Sequence, residues 1–236
     1  MNPRTNEFGQ PIGPALPDWR ERSAPPRTSL HGRYCRIEPL KHEHAAGLWQ
    51  SYAQTPDARD WTYLSAGPFA TALDFDRYIE RVARSDDPLH HTIFDASGRP
   101  VGTAALMRID RANGVIEIGS ITYSRALQRS VAGTETLYLF MRRVFDELGY
   151  RRFEWKCDDL NAPSRAAALR YGFTFEGIFR QAVVYKGRSR DTAWYSIIDG
   201  EWPRLRTAYE RWLAPENFDD HRRQKRRLGE LIAEAR

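Results

Sequence analysis

Residues 116–135 read IEIGSITYSRALQRSVAGTE. The spacing predicts a strand that ends near Tyr123, a short loop over Gln128–Gly133 and a helix that starts at once. Backbone N–H groups left free at such a helix start, with the helix dipole behind them, form an anion site suited to a pyrophosphate. Arg125 or Arg129 would add charge-assisted contacts. An ordinary strand–loop–helix connection fits the same residues, because neither a Walker nor a dinucleotide fingerprint is present.

Working outward, the residues before this stretch predict a strand near Tyr34–Glu38 and a helix carrying Ala45, Leu48, Trp49 and Tyr52 on one face. A loop with Trp61, Tyr63 and Phe69 follows, closed by Gly67-Pro68, and then a helix built on Phe75, Tyr78, Ile79 and Val82. Strands over 90–94, 101–109 and 115–124 form a meander, with Asn113-Gly114 a strong hairpin signal. An amphipathic helix spans about 133–148, and Gly149 stands where a C′ residue belongs. A strand over 151–158, an Ala-rich helix over 161–171 and a final hairpin around Lys186-Gly187-Arg188 complete a mixed α/β domain over residues 28–200. Residues 1–27, with six of the fourteen prolines, read as an irregular arm laid over the surface. Residues 201–236 read as a basic, helical extension, with one helix over Leu205–Leu213 and the run HRRQKRR at 221–227 as a solvated tail.

The second informative stretch, NAPSRAAALRYGFTFEG at 161–177, changes the weight of the first. LQRSVAGTE and NAPSRAAALRYGFTFEG together resemble the acetyl-CoA-dependent N-acetyltransferases of the GNAT superfamily, nearest to the RimJ/RimL-like branch that acetylates protein N-terminal amines. Asn161, Ser164, Leu169, Gly172-Phe173 and Glu176-Gly177 fall at the spacings of that branch, and the likeness extends over about residues 30–200. It implies a mixed, mostly antiparallel sheet that splays at the acyl-CoA site, with flanking helices. It also implies that the strand Glu117–Tyr123 meets pantetheine through the backbone of Ile121 and Tyr123. The family's pyrophosphate loop maps onto Gln128, Arg129, Ser130, Val131, Ala132 and Gly133, followed by Thr134, and Asn161 is a further CoA contact. Val131 replaces the loop's first glycine, and a β-branched residue tolerates positive φ poorly.

Acetyl transfer to an amine needs a proton removed from an ammonium, a polarised thioester and a protonated leaving thiolate. The resemblance assigns the thiolate's proton to Ser164 and activation of the amine to Glu176, while Glu117 stands on the strand where other members place a base. Ala168 occupies the position of the tyrosine acid that many relatives use, which adds weight to Ser164. Each residue also has an ordinary structural reading. Ser164 suits a helix cap and Asn161 a turn, Glu117 suits a structural or exposed role and Glu176 a solvated strand position, and Tyr171 suits the core. Trp61, Tyr63 and Phe69 fit either a substrate wall or aromatic packing.

Composition bounds the remaining possibilities. The 236 residues fit one extended domain or two, and a mean hydropathy of −0.65 gives no membrane-spanning stretch. The first 30 residues lack the apolar core of a secretory signal. Cys35 and Cys157 cannot build a disulfide framework, so a reducing cytoplasm is the expected compartment. Cys157 reads as a small buried hydrophobe, and His42-x-His44 and His90-His91 point apart, so no metal site is expected. A net charge of +5 invites a nucleic-acid partner, but residues 204–236 hold nine Lys/Arg against six Asp/Glu, a surplus of +3, which leaves +2 for the rest. An amine acceptor is therefore the expected partner rather than nucleic acid or membrane, and members of the resembled branch are often homodimers.

Overall fold

The computed structural model describes residues 4–55 and 57–235. Two short strands, β1 (Arg4–Thr5) and β2 (Pro11–Ile12), form a hairpin in the N-terminal arm. The arm then lies over the domain: the Trp19 indole donates to the Ala112 carbonyl at 2.8 Å, and Tyr150 donates to the Ser23 carbonyl at 3.1 Å. Next come β3 (Leu30–His31), β4 (Cys35–Pro39), α1 (Ala45–Tyr52) and α2 (Ala72–Val82). The meander is β5 (Leu89–Asp95), β6 (Pro100–Asp110) and β7 (Val115–Tyr123). Helix α3 (Val131–Arg142) continues as a π-helical turn over Arg143–Glu147, and β8 (Arg152–Asp158) and α4 (Ala162–Arg170) follow. The hairpin β9 (Thr174–Tyr185) and β10 (Arg188–Ile198) precedes α5 (Trp202–Leu213) and α6 (Leu228–Glu234).

The eight strands from β3 onward form one sheet in the order β3-β4-β5-β6-β7-β8-β10-β9. Every neighbouring pair is antiparallel except β7 with β8. Strand alternation divides the sheet into two faces. On one face Ile116, Ile118, Phe153, Trp155, Ala193 and Tyr195 pack with α3, α5 and α6 in a single core. On the other, α1 and α2 form a smaller core of Leu48, Tyr52, Phe75 and Ile79. Lys186 and Gly187, at φ of 49° and 69°, make the tight turn between β9 and β10.

The strand–helix pattern holds through Ile198, with boundaries shifted by a few residues. The C-terminal segment is more integrated than a solvated tail. Trp202 stacks on Phe145 at 5.5 Å, Tyr209 stacks on Tyr138 at 5.7 Å, and Leu228, Leu231 and Ile232 join the main core. The basic run at 221–227 is exposed for most of its length, yet its backbone is held by Asn217, whose carboxamide accepts from Arg226 N–H at 3.0 Å and donates to the Trp212 carbonyl at 3.0 Å. Helix α6 is too short for a periodic signal to separate it from the basic run before it.

Candidate active site

The parallel pairing of β7 with β8 covers Val115, Ile116 and Glu117 against Arg152, Phe153 and Glu154, and goes no further. Beyond Glu117 the two strands part. Strand β8 stays paired with β10 through Asp158. Strand β7 stays paired with β6 except at a bulge, where Ser120 takes φ of 48° and neither Ser120 nor Ile121 has a partner in the β6 register. A bulge turns a strand and frees its backbone groups. The wedge between the strands therefore exposes main-chain donors and acceptors of β7, which an extended amide-bearing chain can pair with. The Tyr123 carbonyl already accepts from the Gln128 side chain at 2.8 Å, which ties the following loop to the strand end.

That loop is built to present a helix start. Ser130 caps α3 by accepting from Gly133 N–H at 3.0 Å, and its own hydroxyl donates to the Leu127 carbonyl at 2.7 Å. A Cβ on Gly133 would lie 2.6 Å from that same carbonyl, so only glycine fits. The left-handed residue is Arg129, at φ of 57°, and Val131 is not among the residues of positive φ. Val131 is the first residue of α3 and packs its side chain against the core. The strain expected from a β-branched residue in this loop is thus absent. The N–H groups of Val131 and Ala132 in the first turn lack intrahelical acceptors, as at any helix start. Arg129 is exposed beside them, whereas Arg125 is paired with Asp60 at 3.2 Å. Thr134 accepts from the Arg170 guanidinium at 3.1 Å, which joins the start of α3 to the end of α4.

The start of α4 lies on the same sheet face. Asn161 is its cap, accepting from Ser164 N–H at 3.2 Å, so Ser164 is free of that duty. The Ser164 hydroxyl instead accepts from the Trp155 indole at 3.0 Å and faces the Cys157 thiol. Ala168 is fully buried. Tyr171 is core packing, 9% exposed beneath Trp155. Cys157 is buried too, and burial pushes its thiol above the ordinary range, as expected for an inert packing residue.

On the opposite face the carboxylates are linked by cations. Glu117, 2% exposed, accepts from Arg108 at 2.8 and 2.7 Å and from Lys156 at 3.0 Å. Lys156 also contacts Glu154 at 2.7 Å, and Arg152 joins Glu154 at 2.7 Å to Glu176 at 2.5 Å. Charges thus alternate from Arg108 to Glu176. Glu117 stands at the vertex of the wedge, whereas Glu176 lies on β9, three strands from β7, and also accepts from Ser196 at 2.6 Å. The Arg152 bonds, ahead of the Ser196 bond, hold the Glu176 carboxyl below its usual value of 4.5. A lowered folded-state pKa stabilises the fold above pH 4.5 and loses that stabilisation as pH falls through the folded value. Thermal melts of Glu176→Gln should therefore decline less than wild type on acidification below pH 4.5, and parallel curves would contradict the pairing.

Arg108, Glu154 and Lys156 escape the sequence reading. The one usable signal is RRFEWKCD at 151–158, where period-two alternation sets Glu154 and Lys156 on one face, but their partners on β6 and β7 are invisible to it. The three loop aromatics separate. Trp61 and Phe69 pack edge to face at 5.3 Å, and Phe69 lies 4.9 Å from Tyr78, within the α1–α2 cluster. Tyr63 is half-buried and joins no such ring pair among the described residues. Trp61 and Tyr78 line a cleft with Tyr52, Leu64, Thr103 and Ser120 on this face. The β9–β10 tip closes over the same loop, with Lys186 donating to the Trp61 carbonyl at 2.8 Å and Arg188 to the Thr62 carbonyl at 2.7 Å. Among the described residues no cluster of three or more His, Cys, Asp or Glu could hold a metal, and no helix is long and apolar enough to cross a membrane.

The candidate site is thus a parted parallel strand pair beside a capped helix start. The model of the GNAT acetyltransferase domain matches residues 35–174, and the chain belongs to that family of acetyltransferases. It is similar to a GCN5-related N-acetyltransferase from Brucella melitensis, at 50% identity and a TM-score of 0.90, over 92% of this chain and all of that one. A GNAT-family protein from Chromobacterium violaceum matches at 37% identity and a TM-score of 0.76, over 82% of this chain and 98% of that one. At the level of fold, the microcin C7 self-immunity acetyltransferase MccE, solved with acetyl-CoA and AMP, matches at 22% identity and a TM-score of 0.59, over 71% of this chain and 93% of its own. No curated protein matches the chain.

Proposed function

We propose that this acetyltransferase moves the acetyl group of acetyl-CoA to a primary amine by direct attack in a ternary complex, with a protein N-terminus or a small molecule as acceptor. The observation that supports this most is the parting of β7 and β8 after Glu117, with the Ser130-capped helix start and Ser164 on one face and Glu117 on the other. Ile121 and Tyr123 supply backbone contacts to the pantetheine arm. Gln128, Arg129, Ser130, Val131, Ala132, Gly133 and Thr134 surround the pyrophosphate, and Asn161 and Ser164 complete the carrier site. Ser164 gives its proton to the leaving thiolate. Glu117 receives the proton of the ammonium, whose free pKa is about 8 for a protein N-terminus and about 10 for an alkylamine, and Glu176 supports it through Arg152, Glu154 and Lys156. Trp61, Tyr63 and Phe69 form the acceptor wall. The two quoted motifs support placement near the RimJ/RimL-like branch, with residues 28–200 as the catalytic domain, 1–27 as an arm and 201–236 as an extension. A cytoplasmic homodimer is consistent with that branch.

A second reading, an acyl-CoA-binding protein with little turnover, draws on the pairing of Glu117 with both Arg108 and Lys156, which occupies the carboxylate that an amine would have to reach. Free thiol released on mixing the protein with acetyl-CoA and a panel of primary amines decides between them. Amine-dependent release above the rate of hydrolysis supports transfer. Measurable CoA binding with no release for any amine supports the second reading.

A further inference from the structure

The loop between α1 and α2 is tied down on both sides of the wedge. On one side Arg125, two residues past the end of β7, meets Asp60 at 3.2 Å. On the other, the β9–β10 tip reaches across to the main chain of the loop. The Lys186 ammonium donates to the carbonyls of Trp61 at 2.8 Å and Ala66 at 3.3 Å, and the Arg188 guanidinium donates to that of Thr62 at 2.7 Å. Hairpin β9–β10 joins β8 through β10, so the loop bridges the two strands that part after Glu117.

These ties hold the roof of a cleft. Trp61 and Ala66, whose carbonyls Lys186 engages, themselves line it, with Tyr52 and Tyr78 on the helix side and Ser120 and Thr122 on β7. Ser120 and Thr122 belong to the part of β7 that has left β8, so the cleft lies beside the wedge. Its free volume is about 20 Å³, room for about one water. The floor is packed: the Tyr52 hydroxyl donates to the Thr122 carbonyl at 3.0 Å, and its ring meets Trp61 at 5.6 Å and Phe75 at 5.8 Å, both edge to face. The roof is held differently. Residues 59–66 carry one short 3-10 turn and are half-buried or exposed, so their position depends on the Trp61 ring and on the cation ties. The chain folds back under that ring at Gly67, where a Cβ would lie 2.4 Å from the indole. Bonds from an ionised donor are roughly twice as strong as neutral ones, and the β9–β10 tip therefore sets the height of the roof.

We infer that Lys186 and Arg188 are positioning residues that latch the 59–66 loop over this cleft and so limit the acceptor to an amine with a compact substituent beside it. The inference rests on the acetyltransferase reading and narrows its acceptor. A hydrogen or a methyl group on the carbon bearing the amine fits under so close a roof, whereas an aromatic side chain needs the roof lifted and the carbonyl bonds of Lys186 and Arg188 broken.

Glycinamide and phenylalaninamide are alike at the amine and differ in the side chain next to it. Thiol release from acetyl-CoA should show wild type favouring glycinamide in kcat/KM. A double variant carrying Lys186→Met and Arg188→Met should raise the phenylalaninamide-to-glycinamide ratio by about tenfold, the scale on which a pocket senses added methylenes. The change should come through KM more than kcat, with the Kd for CoA near wild type. Lys186→Arg keeps a cationic donor and should hold the wild-type ratio. Hydrogen exchange reads the latch without turnover: the double variant should exchange faster over residues 59–66 and not in α3 or α4. Unchanged exchange over 59–66, a wild type that favours phenylalaninamide, or a ratio that stays or falls in the double variant would overturn the assignment. Failure of the acetyltransferase reading shows separately, as absence of thiol release with every amine despite CoA binding, and the exchange result still decides the latch.

Discussion

Lys156→Met is expected to lower folding stability by about 3–5 kcal/mol, the range for removing one partner of a buried ion pair. Lys156 is 8% exposed at the side chain and neutralises Glu117 and Glu154, exposed by only 3% and 8%. Methionine fills nearly the same volume, so the cost comes from charge and not from a cavity. It leaves Glu154 to Arg152 and Glu117 to Arg108, each a single cation on a carboxylate that had two. Urea denaturation at neutral pH measures the loss. Adding Glu117→Gln should restore part of it, because the second change removes the charge that the first leaves poorly compensated. A loss under 1 kcal/mol, or additive losses in the double variant, would show that the alternating chain contributes little to the fold.

The largest expected effect on turnover belongs to Ser164. General acid catalysis contributes about 10²–10⁴-fold, so Ser164→Ala should lower kcat by roughly 10²-fold or more with the Kd for CoA changed by less than about twofold. The Trp155 indole loses its acceptor in this variant, at a stability cost of about 1 kcal/mol. Near-ultraviolet circular dichroism and a melting curve separate that structural effect from the chemical one. Ser164→Thr keeps both the hydroxyl and the bond to Trp155, and should recover more activity than Ser164→Ala. Wild-type turnover in Ser164→Ala would remove the serine from the mechanism.

Sequence pattern made most of the fold legible because turn residues such as Asn113-Gly114 and Lys186-Gly187 bound the elements. Strand β7 opens on the alternation Ile116, Glu117, Ile118, whereas β5 and α3 are buried on nearly every side. The candidate carrier site lies on two contiguous segments, Gln128–Gly133 and Asn161–Ser164, whose helix caps are local features, while the carrier role proposed for them rests on the resemblance of the two motifs. Long-range pairing was not legible. Nothing in Glu117 and its neighbours announces that Arg108 and Lys156 will reach it from two different strands. The wedge itself is a property of register, since β7 and β8 part after three paired residues while both continue as strands. Val131 shows a local rule misapplied: the positive φ of the loop falls on Arg129, two residues earlier, where no glycine is needed.

The excess of arginine also gains a structural context. Guanidinium groups stack on rings throughout the molecule, as in Arg22 over Trp19 at 4.3 Å, Arg36 over Phe94 at 4.6 Å and Arg170 over Tyr171 at 5.2 Å. Lysine matches such flat contacts less well. Charge that looked like a nucleic-acid signal is largely engaged in packing and pairing within the chain.

The central claim is that the wedge after Glu117, with the helix start at Ser130, is where acetyl-CoA binds. Backbone hydrogen exchange read peptide by peptide, with and without acetyl-CoA, tests it without relying on turnover. Slowed exchange concentrated in residues 118–134 and at the start of α4 is the predicted result. Protection that leaves this segment unchanged and appears elsewhere, with acetyl-CoA demonstrably bound, would contradict the account.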